Sequence, residues 1–126
     1  MNLHIRPVTA DDRNALGALL RRLPVFEPHE IGVAEELLDE TLAGSTDYVI
    51  HIAEDIGDTA PGATAGPLIG YVCHGHNPVT DGLYDVYWIA VDPAVQGRGV
   101  GRALIAHAEI RLRGARLLSH HHAQAD

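Results

Sequence analysis

The sequence predicts an α+β domain on a mixed, mostly antiparallel sheet, and three observations lead there. Two stretches of helical period come first, and three β-rich runs (48–54, Leu68–His76 and Leu83–Val91) follow as a block, so helices and strands segregate. Those three runs are joined by turn-forming residues with no helix between them, the pattern of an antiparallel meander. A glycine-rich turn, Gln96-Gly97-Arg98-Gly99-Val100-Gly101, then separates the last of them from a further amphipathic helix.

Each element has its own local reason. Residues 3–8 alternate, with Leu3 and Ile5 against His4 and Arg6, and form a first strand. Thr9-Ala10-Asp11-Asp12 sets a hydroxyl three residues before an acid, the pattern of a capping box. Leu16, Leu19, Leu20 and Leu23 then recur at helical spacing until Pro24. A second helix begins near Pro28, with Ile31, Ala34, Leu37, Leu38 and Leu42 on one face. Glu35, Glu36, Asp39 and Glu40 form its solvated face, and Gly44 is its stop. The run at 48–54 is β-branched and aromatic, as a strand requires. Residues 55–66 carry glycine, proline, threonine and aspartate and form a loop, and residues 77–82 form a second turn. The helix after the glycine turn points Leu104, Ile105, Ala108 and Leu112 inward and Glu109, Arg111 and Arg113 outward, ending at Gly114. Ala115-Arg116-Leu117-Leu118 begins another strand, and Ser119-His120-His121-His122-Ala123-Gln124-Ala125-Asp126 reads as a loose polar tail. One domain over 1–118 and a tail over 119–126 are expected, without repeats or a second domain.

Composition narrows the function. The net charge of −8 argues against a nucleic-acid binder, and no apolar run is long enough to span a bilayer. The beginning of the chain has no basic leader ahead of an apolar core, and the one cysteine, Cys73, has no partner for an internal disulfide. A reducing, cytoplasmic location is therefore expected, with Cys73 as a small buried residue. Charge is unevenly spread: residues 1–92 hold 15 acids and 4 arginines (−11), and residues 93–126 hold 2 acids and 5 arginines (+3). The basic end suits an anionic ligand, and the acidic remainder suits a cationic co-substrate.

The basic end is also where the backbone is arranged for an anion. Pro93 ends the strand because it has no N–H for a ladder. Gly97, Gly99 and Gly101 let the main chain approach a ligand closely, and the helix start adds unpaired N–H groups and a partial positive charge. The result is an anion cradle of pyrophosphate size with Arg98 and Arg102 at its lip. A dinucleotide-binding reading fails on spacing, since Gly-x-Gly-x-x-Gly needs a glycine where Arg102 or Leu104 stands and no Gly-Lys-Ser/Thr follows. His74 and His76 flank one another near Cys73, but no further ligand has metal-site spacing, so no metal is expected. The histidines at 120–122 do not specify a site either.

The stretch Gln96-Gly97-Arg98-Gly99-Val100-Gly101 resembles the Arg/Gln-x-x-Gly-x-Gly/Ala signature of the GNAT superfamily of acetyl-CoA-dependent N-acyltransferases. The flanks Ile89-Ala90-Val91-Asp92-Pro93 and Gly101-Arg102-Ala103-Leu104 are similar to that family's, as is the element order β-α-α-β-β-β-turn-α. The resemblance implies acetyl-CoA as co-substrate and direct attack on it by a primary amine of a small molecule or protein. It places the backbone amides of Gln96, Gly97, Arg98, Gly99, Val100, Gly101 and Arg102 on the coenzyme A pyrophosphate. It places the backbone of Ile89, Ala90 and Val91 along the pantetheine arm, which pairs like an added strand. It also implies a bulge that splays the fourth strand from the fifth, with a backbone amide there to polarise the acetyl carbonyl.

In some members a fourth-strand carboxylate four residues before the pantetheine-binding run serves as base, and here that position is Asp85. The alternatives for Asp85 are a solvent-facing carboxylate or an ion partner for the substrate's ammonium. Tyr87, two residues on, lines the same pocket. Members of the family usually continue with a fifth strand, a fourth helix and closing strands, a region that supplies one slot wall and a tyrosine for the departing thiolate. Only 115–118 of this chain reads as part of that region. The fourth strand is therefore expected to have a bare edge, which a homodimer would cover. A shortened, catalytically weak or inactive coenzyme A-binding or interaction module is the alternative to an active N-acetyltransferase.

Overall fold

The computed structural model describes residues 2–57, 67–76, 83–112 and 116–124. Its five strands are β1 (Leu3–Pro7), β2 (Tyr48–Asp55), β3 (Leu68–His76), β4 (Leu83–Val91) and β5 (Arg116–Gln124), in one sheet of order β1-β2-β3-β4-β5. The first four pair antiparallel, and β5 lies parallel to β4. Of the expected loop over 55–66, Asp55 ends β2 and residues 58–66 lie outside the described residues, as do the turn over 77–82, Arg113, the stop at Gly114, Ala115 and residues 125–126.

Helices α1 (Arg13–Arg21) and α2 (Pro28–Leu42) cover one sheet face, and α3 (Val100–Leu112) covers the other. Strand alternation divides the apolar side chains between them. Ile50, Ile52, Tyr71, Cys73, Trp88 and Ala90 meet α1 and α2. Ala53, Val72, Val86, Ile89 and Val91 meet Val100 and Leu104 of α3. Cys73 is buried as expected, and burial pushes its thiol up to about 12, which makes it inert as a nucleophile. His74, next along β3, is also buried but points to the opposite face, so adjacency in sequence does not bring the two together.

The C-terminal segment differs from the expected loose tail. Residues 119–124 continue the strand begun at Arg116 and pair along β4. A parallel ladder is made by backbone groups, so a polar run without alternation can join it when a strand edge is beside it. The β4 edge is thereby covered from Leu83 to Ile89, where a dimer was expected to cover it. Two smaller corrections concern α2. Leu42 is 37% exposed and does not join the core, because the helix ends there and turns out into solvent. The acidic face is not simply solvated: Glu35 pairs with Arg13 and Arg21, and Asp39 with Arg13, which ties α2 to α1.

The expected capping box is present at the turn that leads into α1. The Thr9 amide and hydroxyl both donate to the Asp12 carboxylate, at 2.7 and 3.2 Å. Asp12 also takes a bidentate pair from Arg6 at 2.8 and 2.9 Å, and the same guanidinium reaches Glu54 through Nε at 3.2 Å. Burial pushes both carboxyls up, but the hydrogen bonds and charge of Arg6, with Thr9 at Asp12 and His4 at Glu54, outweigh it and leave both below their ordinary values. A carboxyl depressed on folding contributes stability above its unfolded value and loses it as pH falls through the folded one. Arg6→Met is expected to cost about 3 kcal/mol at pH 7, because two carboxylates are left buried without their cation. Urea unfolding should show the gap to wild type narrowing as pH falls below the ordinary values of 4.5 and 3.8.

Candidate active site

The cradle forms where the sequence places it. Gly97 and Gly99 have φ of 80° and 88°, in the left-handed region that favours glycine, and a Cβ at either would meet nothing within 4 Å. Main chain thus faces open space at both positions, as a phosphate-binding turn requires. The carbonyl of Gly99 accepts the first α3 hydrogen bond, from Ala103 at 3.0 Å, so the amides just after it belong to the unpaired start of a 13-residue helix. Val100 is fully buried and anchors that start, while Gln96, Gly97, Arg98, Gly99 and Arg102 are exposed around it. Gly101 is buried against the fold.

Three contacts hold the cradle in place. Gln96 Nε2 donates back to the carbonyl of Val91 at 3.2 Å. Asp92 accepts from the Ala94 amide at 2.9 Å and from Arg22 at 2.7 Å, which links the turn to the end of α1. Gly70 lets α3 lie close to β3, since a Cβ there would come within 3.1 Å of both Val100 and Leu104.

Upstream of the cradle β4 is irregular. Its register against β3 shifts between Cys73 and His74, opposite Trp88 and Val86, so Tyr87 is the extra residue. Against β5 the jump is larger: β4 advances from Val86 to Trp88 while β5 advances from Ser119 to Ala123, two residues against four. This bulge resets the alternation, so that Asp85 and Trp88, three residues apart, share the α1/α2 face. Asp85 is 3% exposed and sits opposite Gly75. Tyr87 is half-buried beside it, and its phenol is pushed up by burial, then by the charge of Asp85 and a hydrogen bond to it.

Over this face lies a cleft of about 340 Å³. Its wall is a stripe of α2, His29, Glu30, Val33 and Leu37, and its floor is Tyr48, Tyr87 and Trp88. The two tyrosines meet edge to face with centroids 5.3 Å apart, and Trp88 stacks obliquely on Phe26 at 5.7 Å. Gly75 makes room for them: a Cβ there would lie 2.9 Å from the Asp47 carbonyl and 3.1 Å from each tyrosine ring. Gly75→Val is therefore expected to cost about 1–3 kcal/mol and to displace the pair, readable as a loss of near-UV circular dichroism from the tyrosines.

The sequence-predicted residues thus fall into two groups. Tyr87 lines the cleft with Asp85 buried beside it, and Gln96, Gly97, Arg98, Gly99, Val100, Gly101 and Arg102 come together at the cradle. Ile89, Ala90 and Val91 form the buried stretch of β4 between them. Ile89 is opposite Gln124 of β5, and among the described residues β5 offers no partner to Ala90 or Val91. Sequence reasoning missed the α2 stripe and Tyr48. His29, Val33 and Leu37 at four-residue steps were the available signal, an apolar edge beside the core face of α2. Among the described residues no group of histidine, cysteine, aspartate and glutamate is arranged to hold a metal, and no helix is long and apolar enough to cross a membrane.

A four-stranded antiparallel meander with a bulged β4, a glycine cradle and a crossing helix defines an acetyltransferase architecture, and the comparisons agree. Residues 46–125 match the family model described as the acetyltransferase (GNAT) domain. A protein from Desulfovibrio desulfuricans, assigned to the GNAT family, is 35% identical with a TM-score of 0.76, over 93% of this chain and 71% of its own. The chain belongs to the GNAT family of acetyltransferases. Two more distant structures share the fold. The ribosomal-protein-S18-alanine N-acetyltransferase of Escherichia coli is 22% identical (TM-score 0.61, 90% of this chain, 62% of its own). The PaiA N-acetyltransferase of Thermoplasma acidophilum, in complex with coenzyme A, is 16% identical (TM-score 0.65, 90% and 73%). No curated protein matches the chain. Family membership agrees with the expectation of an acetyl-CoA-dependent N-acetyltransferase.

Proposed function

We propose that this chain transfers the acetyl group of acetyl-CoA to a primary amine bound in the α2–β4 cleft. One observation carries the reading: along the chain the buried Asp85 precedes the Tyr87 bulge of β4, and the open, positive-φ cradle at Gly97 and Gly99 follows the end of the same strand. Bound at the cradle, acetyl-CoA supplies an activated thioester. The amides of residues 96–102 and the charges of Arg98 and Arg102 hold its pyrophosphate. The Ala90–Val91 edge takes the pantetheine arm as an added strand, with Ile89 shared between that arm and β5. A main-chain amide at the Tyr87 bulge polarises the acetyl carbonyl.

The amine nitrogen then forms the C–N bond as the C–S bond breaks. An ammonium substrate gives up two protons in all: one ends on the departing thiolate, and Asp85 passes the other to solvent. Tyr87 holds Asp85 in place and lines the acceptor's path. A cytoplasmic setting fits the inert, buried Cys73.

The alternative, a module that binds coenzyme A with little turnover, draws on the pairing of Trp88 and Ile89 with Ala123 and Gln124, on the edge the arm approaches. Thermal melting with acetyl-CoA and thiol release across an amine panel separate the two. A melting shift with thiol release supports the enzyme, a shift without release supports the module, and no shift at millimolar acetyl-CoA sinks both.

A further inference from the structure

The cleft is specific about what it can hold. Its floor is three aromatic rings, and its wall sets Val33 and Leu37 beside His29 and Glu30, so most of the enclosed surface is apolar. Among the described residues the one carboxylate lining the cleft is Glu30, whose Oε1 accepts the amide of Glu27 at 3.0 Å in the capping box of α2. That bond fixes the carboxylate at the rim, where a cation can reach it. Glu40 and Asp47 act on Tyr48 through their charge but do not line the cleft. A polyamine or polycationic sugar would bury several ammonium groups against rings and aliphatic chains with too few carboxylates to pair them. A neutral compound of the same shape would forgo Glu30 and the attraction of a cation to the tyrosine and tryptophan faces.

We infer that the acceptor is a primary monoamine on a compact apolar or aromatic stem, with Glu30, Tyr48, Tyr87 and Trp88 setting the specificity. This rests on the cleft being the acceptor site of an acetyltransferase. The stem lies between the Val33–Leu37 wall and the tyrosine pair, and Glu30 keeps the bound form cationic until the proton leaves at Asp85.

Trp88 is the only tryptophan and forms part of the floor, so its fluorescence reports cleft occupancy without any reaction. 2-Phenylethylamine should change that emission saturably, alone or with coenzyme A present, and at least about tenfold more tightly than spermidine or 2-phenylethanol. Glu30→Gln should weaken the amine about fivefold and leave the alcohol unchanged. Glutamine also suits the capping box, so this variant keeps α2 intact. Tyr48→Ala should weaken amine and alcohol alike, about tenfold. Tighter binding of spermidine, or no change in Trp88 emission with any amine, overturns the inference. An emission change without thiol release refutes the transfer reading and leaves the recognition standing. Thiol release with no preference for apolar monoamines refutes the recognition and leaves transfer standing.

Discussion

Gly99→Glu is expected to abolish the rise in melting temperature that acetyl-CoA gives the wild-type chain. A ligand at a hundred times its dissociation constant stabilises by about 2.7 kcal/mol, or roughly 5–10 °C for a domain of this size. Glutamate at this position acts against that in two ways. Its side chain enters the space in front of the cradle, where a Cβ now meets nothing within 4 Å. Its charge opposes the pyrophosphate at the helix end that favours anions. The backbone cost is separate: a side chain at φ 88° is strained by about 1–2 kcal/mol whatever its nature. Gly99→Ala shares the strain but not the bulk or the charge, so its ligand-free melting temperature should fall like that of the glutamate variant. Its response to acetyl-CoA should be reduced and still measurable. A wild-type shift in Gly99→Glu would mean that the cradle does not hold the donor.

The same comparison shows how far the sequence could be read. The cradle was legible because its requirements are local: three glycines, a strand-ending proline and a helix start lie within ten residues of one another. The core positions Leu16, Leu19, Leu20, Ile31, Ala34, Leu38 and Leu104 were legible for the same reason, since period alone sets which face is buried. What was not legible depends on partners distant in sequence. Residues 119–124 became strand because β4 lay beside them and their backbone could pair with it. Gly75 has no local turn to explain it, and its role emerges only where Tyr48 and Tyr87 converge on it from two other strands. The α2 stripe reads as ordinary helix surface until the aromatic floor is set opposite it. The cradle was therefore written in one stretch, whereas the cleft and the glycine that makes room for it are assembled from α2, β2, β3 and β4.

In the proposed mechanism Asp85 is the base, and Asp85→Asn is expected to lower kcat by about 10²–10⁴-fold at neutral pH. The substitution keeps the shape and leaves a polar group opposite Gly75, so the fold and the acetyl-CoA melting shift should survive. What is lost is a proton acceptor beside Tyr87, where asparagine offers only a neutral amide. The pH profile separates this role from the two other readings of Asp85. A base takes its proton from the substrate's ammonium, so the asparagine variant should recover at high pH, where free amine is abundant. A carboxylate that only pairs with the substrate's ammonium would raise KM when removed and leave kcat near wild type. A solvent-facing carboxylate would change neither, and its burial at 3% exposure already speaks against that reading. Retention of wild-type kcat with an unaltered pH profile in Asp85→Asn would remove Asp85 from the chemistry.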